Sequence, residues 1–128
     1  MLDKFTVEII SPDQTVLKQE TKEVIIPSVE GQMGILNNHI PLITFLRPGI
    51  ITIKTEGEKK YYVEEGTVEF SNNNLLILTS TARDLANFDK TSINELLQKA
   101  EANLNTESTD KERYVASYKL ETLKEISQ

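Results

Sequence analysis

The chain has 128 residues, enough for one domain with an appendage and too few for two full cores. Twenty acidic residues against fourteen basic leave a net charge of −6, which repels phosphate backbones and anionic lipid and so excludes nucleic acid and a bare membrane surface in favour of protein partners. With no cysteine there is no disulfide or thiolate metal site, and no apolar run approaches the ~20 residues needed to span a bilayer, so direct membrane insertion is not expected.

From residue 5 to about residue 82 apolar side chains recur with a period of two. Phe5, Val7 and Ile9 alternate with Thr6, Glu8 and Ile10, the pattern of a half-buried strand. Ser11, Pro12 and Asp13 supply a turn, Val16 and Leu17 begin a second strand, and Val24, Ile25 and Ile26 a third. The polar residues 18–22 between them are expected to form an exposed bend or edge. Ile50, Ile51 and Ile53 mark another strand, and short apolar runs at 61–63, 68–70 and 75–78 follow between turn signals. No helical pattern of crossover length interrupts them, so an antiparallel sandwich or flattened barrel is expected over residues 1–86 rather than a parallel sheet.

Segment 27–49, PSVEGQMGILNNHIPLITFLRPG, stands apart within this run. Gly31 and Gly34 are expected to reverse the chain with positive φ, Asn37 and Asn38 tolerate left-handed geometry, and Pro41 and Pro48 each remove a donor. The segment therefore reads as a shaped loop, pinned by Met33, Ile35, Leu36, Ile40, Leu42 and Ile43.

The period changes after Asp89. Ile93, Leu96, Leu97, Ala100 and Leu104 fall on one helical stripe, with Ser92 and Glu95 at capping-box spacing. Thr109 and Glu112 repeat that spacing after a polar break, and Val115, Ala116, Leu120, Leu123 and Ile126 form a second apolar arc. Two helices so closely joined fold back as an antiparallel hairpin, which places an α-helical unit at 87–128.

Twelve positions of the central segment, Pro27, Glu30, Gly31, Gly34, Ile35, Leu36, His39, Pro41, Leu42, Leu46, Pro48 and Gly49, fall in the order of one family's pattern. The chain resembles the epsilon subunit of the F-type, proton-translocating ATP synthase, and the likeness extends over nearly its whole length. The resemblance implies a sandwich of about ten strands followed by the helical hairpin, in a non-catalytic rotor subunit at the cytoplasmic face of the bacterial inner membrane. It implies a gamma subunit and a ring of c subunits as partners. Contact candidates for the c ring are Glu30, Gly31, Gln32, Asn38 and His39, although many relatives carry a carboxylate where Gln32 stands. For the gamma subunit they are Leu42, Ile43 and Phe45. The second helix of the family acts in some members as a brake on hydrolysis through the alpha and beta subunits, which makes Arg113, Lys119 and Lys124 regulatory candidates. Asp110, Glu112, Glu121 and Glu125 balance their charge, so attraction to an acidic partner is expected to be weak and screened by salt.

The residues themselves offer little chemistry. His39 is the only imidazole and has neither an orienting partner nor companion ligands in sequence, so a hydrogen-bonded loop residue is the expected reading. Glu64 with Glu65, and Glu56 with Glu58, are expected to be solvated charges rather than catalytic pairs. Some family members bind ATP through an Ile/Leu-Asp-x-x-Arg-Ala signature on the first helix. Here Asn94 replaces its acid and Leu97 its guanidinium, which removes the strongest phosphate contact, so no cofactor is expected. A free-standing nucleotide sensor is the alternative reading, and an extracellular adhesion sandwich a third that lacks an export signal.

Overall fold

The computed structural model describes residues 3–106 and 109–127. Ten strands precede two helices: β1 (Phe5–Ile10), β2 (Thr15–Thr21), β3 (Glu23–Ser28), β4 (Gly31–Leu36), β5 (Leu42–Leu46), β6 (Gly49–Lys54), β7 (Glu58–Val63), β8 (Gly66–Ser71), β9 (Asn74–Leu78), β10 (Arg83–Asp84), α1 (Lys90–Thr106) and α2 (Asp110–Ser127). They form two units, residues 1–86 and 87–128.

In the first unit, alternation sets which side chains enter the core. β1 and β6 bury every second residue, so Phe5, Val7, Ile9, Ile51 and Ile53 join Val24, Ile26, Ile35, Val68, Phe70, Leu75 and Ile77 in one cluster. Strand order is β10-β7-β6-β3-β5-β8-β9-β1-β2, with β4 added to β3. The fold into two layers happens at β3. Its first half pairs with β6 through Glu23 to Ile25, whereas its end pairs with β5 at Ser28 and Leu46. At the far side, Thr21 Oγ1 donates to the Lys54 carbonyl at 2.8 Å and Lys59 Nζ to Gln19 Oε1 at 3.0 Å, which ties the end of β2 back to β6 and β7.

Residues 18–21 take the edge form of the two expected, continuing β2 at the margin of the sheet, where the side chains of Lys18 and Glu20 reach solvent. Two expectations change here. The sheet is not wholly antiparallel, because β1 and β9 run parallel from Thr6 opposite Asn74 to Ile10 opposite Leu78. Segment 27–49 is mostly strand rather than loop, since β4 and β5 lie inside it.

Turn chemistry fixes the hairpins. Gly31 has φ 126°, which an L side chain rarely adopts, and Asn72 and Asn73 (φ 51° and 57°) form the left-handed pair that a two-residue hairpin between β8 and β9 demands. Gly49 serves close approach, because a Cβ there would collide with the ring of Pro27. Gly34 is not a turn residue: it lies in extended β4, where a Cβ would meet Glu23 Oε2 at 3.3 Å.

In the second unit α1 begins one turn earlier than the Ser92 cap implied. Asp89 Oδ1 accepts the Ser92 N–H at 2.7 Å, and the hydrogen bonds from Ser92 hold that carboxyl below its ordinary pKa. Ser92 is therefore inside the helix. The second capping box forms in full: Glu112 N–H donates to Thr109 Oγ1 at 3.0 Å, and Thr109 N–H to Glu112 Oε1 at 3.2 Å. On α1 Ile93 and Ala100 are buried with Leu96, Leu97 and Leu104 half-buried, whereas on α2 Val115 is exposed and Thr122 buried. Thr122 is accommodated because its hydroxyl donates to the Tyr118 carbonyl at 2.8 Å.

Candidate docking surface

Strand β4 separates the c-ring candidates. Glu30 and Gly31 stand at its start with Gln32 next, while Asn38 and His39 follow its end, five residue steps or roughly 17 Å away. They do not form one site. At the first end Thr44 Oγ1 donates to Glu30 Oε1 at 3.3 Å and the Glu30 N–H to Ser28 Oγ at 3.1 Å, while the Gln32 side chain is exposed. At the other end the polar groups pair between exposed turn residues. Asn38, with φ 65°, donates its N–H to Asn73 Oδ1 at 2.7 Å and accepts from Asn73 Nδ2 at 3.0 Å, which couples the β4–β5 and β8–β9 connections. His39 Nδ1 lies 2.7 Å from the Ile40 carbonyl, and its ring meets Phe70 edge-on at 5.9 Å.

Of the gamma candidates, Ile43 and Phe45 point outward from β5, 75% and 57% exposed, while Leu42 packs against the core. Leu36 and Ile40, expected to pin the segment inward, are likewise exposed, because the residues that fill the core here are Ile35, Thr44 and Leu46. Register carries the outward face across four strands: Phe45 stands opposite Thr67, Thr67 opposite Leu78, and Leu78 opposite Ile10. Val29 extends the row, since its N–H donates to the Phe45 carbonyl at 2.9 Å. The next row, Ile43, Glu69, Leu76 and Glu8, is mixed. Apolar side chains thus line an exposed face about 15 Å wide at the ordinary strand spacing. Val29, Ile10 and Leu78 were not picked from sequence; their alternation was visible, but which strands adjoin was not.

The acidic pairs divide differently from expectation. Tyr62 is fully buried and its hydroxyl donates to Glu64 Oε2 at 3.0 Å, so Glu64 is the acceptor of a buried donor rather than a solvated charge. Burial first, and the Glu64 carboxylate second, push the Tyr62 phenol far above its ordinary value against a lowering influence from Arg83. Tyr61 rises too, through burial and then Asp84. Both phenols stay neutral. Thr81 Oγ1 accepts from the Glu64 N–H at 3.0 Å, and Thr79 Oγ1 donates to the Glu65 carbonyl at 2.6 Å, which ties the β7–β8 turn to the segment after β9. Glu58 makes only long ion pairs with Lys54 and Lys60, each at 4.0 Å. Among the described residues no group of three His, Asp or Glu side chains could hold a metal ion.

On α2, Arg113 and Lys124 are eleven residues apart and so within about 20° on the helix wheel, whereas Lys119 lies roughly 120° from Arg113 and about 140° from Lys124. Lys119 instead lines a groove of about 450 Å³ between α1 and α2 with Ala100, Asn103, Lys111 and Val115. On α1, Asn94 is exposed and Leu97 half-buried. No described helix is long and apolar enough to cross a membrane.

A β-sandwich with an outward apolar row, followed by a two-helix unit, has the form of a docking module. Residues 4–84 match the family described as the ATP synthase, Delta/Epsilon chain, beta-sandwich domain. The chain is 45% identical to the ATP synthase epsilon chain of Pelagibacter ubique, over 99% of this chain and 100% of that one, and 34% identical to that of Afipia carboxidovorans, over 97% and 92%. It belongs to the ATP synthase epsilon chain family. Two solved structures share the fold: a chain of the Euglena gracilis mitochondrial ATP synthase in an OSCP/F1/c-ring assembly (TM-score 0.80, 21% identity, covering 100% of this chain and 84% of that one), and one of the Tetrahymena thermophila central stalk and c ring (TM-score 0.69, 16% identity, 96% of each).

Proposed function

We propose that this chain is a non-catalytic subunit of the rotor's central stalk in an F-type ATP synthase, at the cytoplasmic face of a bacterial inner membrane, coupling proton flow to ATP synthesis. The observation that carries the reading is the outward row Phe45, Leu78 and Ile10 on a sandwich from a chain that aligns with an epsilon chain over 99% of its length. The gamma subunit docks on this row, with Ile43 and Phe45 at its centre; Leu42 supports it from within. Torque transmission requires a stiff body, and a sheet tied at both ends by side-chain hydrogen bonds supplies one. Purification of the ATP synthase from cells carrying a tagged copy of the chain tests this: the chain comes down with gamma and c, and a chain that purifies alone contradicts it.

The c ring is met by Gly31 and the side chains of Glu30 and Gln32 at the start of β4, rather than by Asn38 and His39, which are already paired with Asn73 and the Ile40 carbonyl. A cysteine in place of Gln32 then cross-links to a c subunit in the intact complex, and one in place of His39 does not. The reverse result moves the ring to the other end of the sandwich.

The hairpin reaches the alpha and beta subunits through the face that carries Arg113 and Lys124, and it takes no ATP, since Asn94 and Leu97 offer no cation for phosphate. Deleting residues 89–128 raises ATP hydrolysis by the assembled enzyme if the hairpin acts as a brake; unchanged hydrolysis removes that role. Calorimetry with ATP and magnesium gives no heat of binding at micromolar concentrations, and micromolar affinity would favour the sensor reading instead.

A further inference from the structure

Three strands end the sheet, and only one of them is unguarded. β2 carries Lys18 and Glu20 along its length, and β10 consists of Arg83 and Asp84 alone. Charge and shortness are the usual protections of a sheet edge against pairing with another chain. β4, with the sequence GQMGIL, has six residues, no charge and no proline. Its only strand partner among the described residues is β3.

The hydrogen-bond register says which groups of β4 are left over. On β3 the Pro27 carbonyl accepts the Arg47 N–H at 3.0 Å, and next to it the Val29 N–H donates to Phe45, so alternate residues 27 and 29 direct their main-chain groups toward β5. Main-chain groups alternate in direction along a strand, so Val24, Ile26 and Ser28 direct theirs toward β4. Their register partners are Ile35, Met33 and Gly31. The remaining residues, Gln32, Gly34 and Leu36, direct N–H and carbonyl groups away from β3, and all three are exposed. The Leu36 carbonyl accepts the His39 N–H at 3.1 Å. Two full residues and one further donor therefore make up an open ladder.

We infer that β4 is a strand-addition edge, and that its occupant is an extended segment of the gamma subunit, paired through the main-chain groups of Gln32, Gly34 and the Leu36 N–H. The inference rests on gamma docking as proposed above. Two observations favour gamma as occupant. The apolar row runs into this hairpin, because Val29 in the β3–β4 turn is hydrogen-bonded to Phe45. At the other end of β4 the Leu36 side chain is 55% exposed and the nearby Ile40 74%, so apolar surface flanks both ends of the open ladder. Main-chain pairing supplies affinity, and the flanking side chains supply register.

Amide exchange by NMR on the full-length labelled chain, alone and with unlabelled gamma, tests this residue by residue. In the free chain the Gln32, Gly34 and Leu36 amides exchange fast while those of Met33 and Ile35 are slow. On binding gamma, the first three slow by about tenfold or more, as expected for a gained main-chain hydrogen bond. If the complex forms and those three amides keep their free rates, strand addition is overturned while gamma docking stands. If no complex forms, both fall. A second measurement uses Gln32→Pro, which removes an outward N–H without touching the β3 ladder, beside Gln32→Ala, which keeps it. Proline raises the Kd for gamma about 3- to 10-fold relative to alanine, with slow Met33 and Ile35 amides certifying the fold. Equal affinities of the two overturn the inference. Self-association of the wild-type chain that proline abolishes would assign the edge to a second copy, and would overturn gamma as its occupant.

Discussion

Replacing Ile43 and Phe45 together by alanine should cripple attachment to gamma while leaving the fold intact. Both side chains point away from the core, 75% and 57% exposed, so truncation removes no core contact and stability should change by no more than about 0.5 kcal/mol. Complete burial of such a side chain is worth roughly 1.5–3 kcal/mol, and the fraction still to be buried on docking is a little over half for Phe45 and three quarters for Ile43. Together the pair should contribute about 2–4 kcal/mol, equivalent to a rise in Kd of roughly 30- to 1,000-fold. Calorimetric titration of isolated gamma with the wild-type and double-alanine chains measures it, with thermal denaturation as the control on folding. A double variant of unchanged Tm that binds gamma as tightly as the wild type would refute the assignment of this face.

Gly49→Ala should destabilise the sandwich by about 1–3 kcal/mol, read as a lowered Tm, because its Cβ collides with Pro27 and a packed ring cannot swing aside as a flexible side chain would. Thr109→Ala should remove about 1 kcal/mol of helix stability through loss of the capping box and appear as faster amide exchange in the first turn of α2, with gamma affinity unchanged. Alkaline titration should expose Tyr62: its folded pKa is raised, so its contribution is complete below the ordinary tyrosine value near 10 and is lost as pH rises above it. Each such phenol should subtract about 1.4 kcal/mol per pH unit above that value, and Tyr62→Phe should make the fall in Tm between about pH 10 and 11 shallower. An identical slope in the variant would mean that Tyr62 ionises as readily folded as unfolded.

The legible parts of this chain were those decided by neighbours in sequence. Alternation in β1, the stripe of α1 and the Thr109–Glu112 box need only a few residues each, and the structure reproduces them. Segment 27–49 misled because its turn formers are dense enough to suggest one loop, while the residues between Gly31 and Asn38 and those after Pro41 still had room for β4 and β5. Gly34 stands opposite Ile25 with the Glu23 carboxylate reaching over it, a fact about another strand. The same holds at α1, where Asp89 to Ser92 and Ser92 to Glu95 share one spacing, and the earlier cap was taken. What sequence left hidden was adjacency. The parallel pairing of β1 with β9 joins residues nearly seventy positions apart, and it is this pairing that sets Ile10 beside Leu78. The split of the c-ring candidates had the same origin: residues 30 to 39 are near in sequence, but a strand laid between them carries them to opposite ends.

ATP-driven proton pumping in membrane vesicles from cells lacking this chain, and from the same cells supplied with the wild-type chain or with Ile43→Asp/Phe45→Asp, puts the coupling role to the test. Pumping should be absent without the chain, return with the wild type, and fail to return with the double aspartate. Vesicles that pump at the wild-type rate with no chain present would contradict a role in coupling altogether.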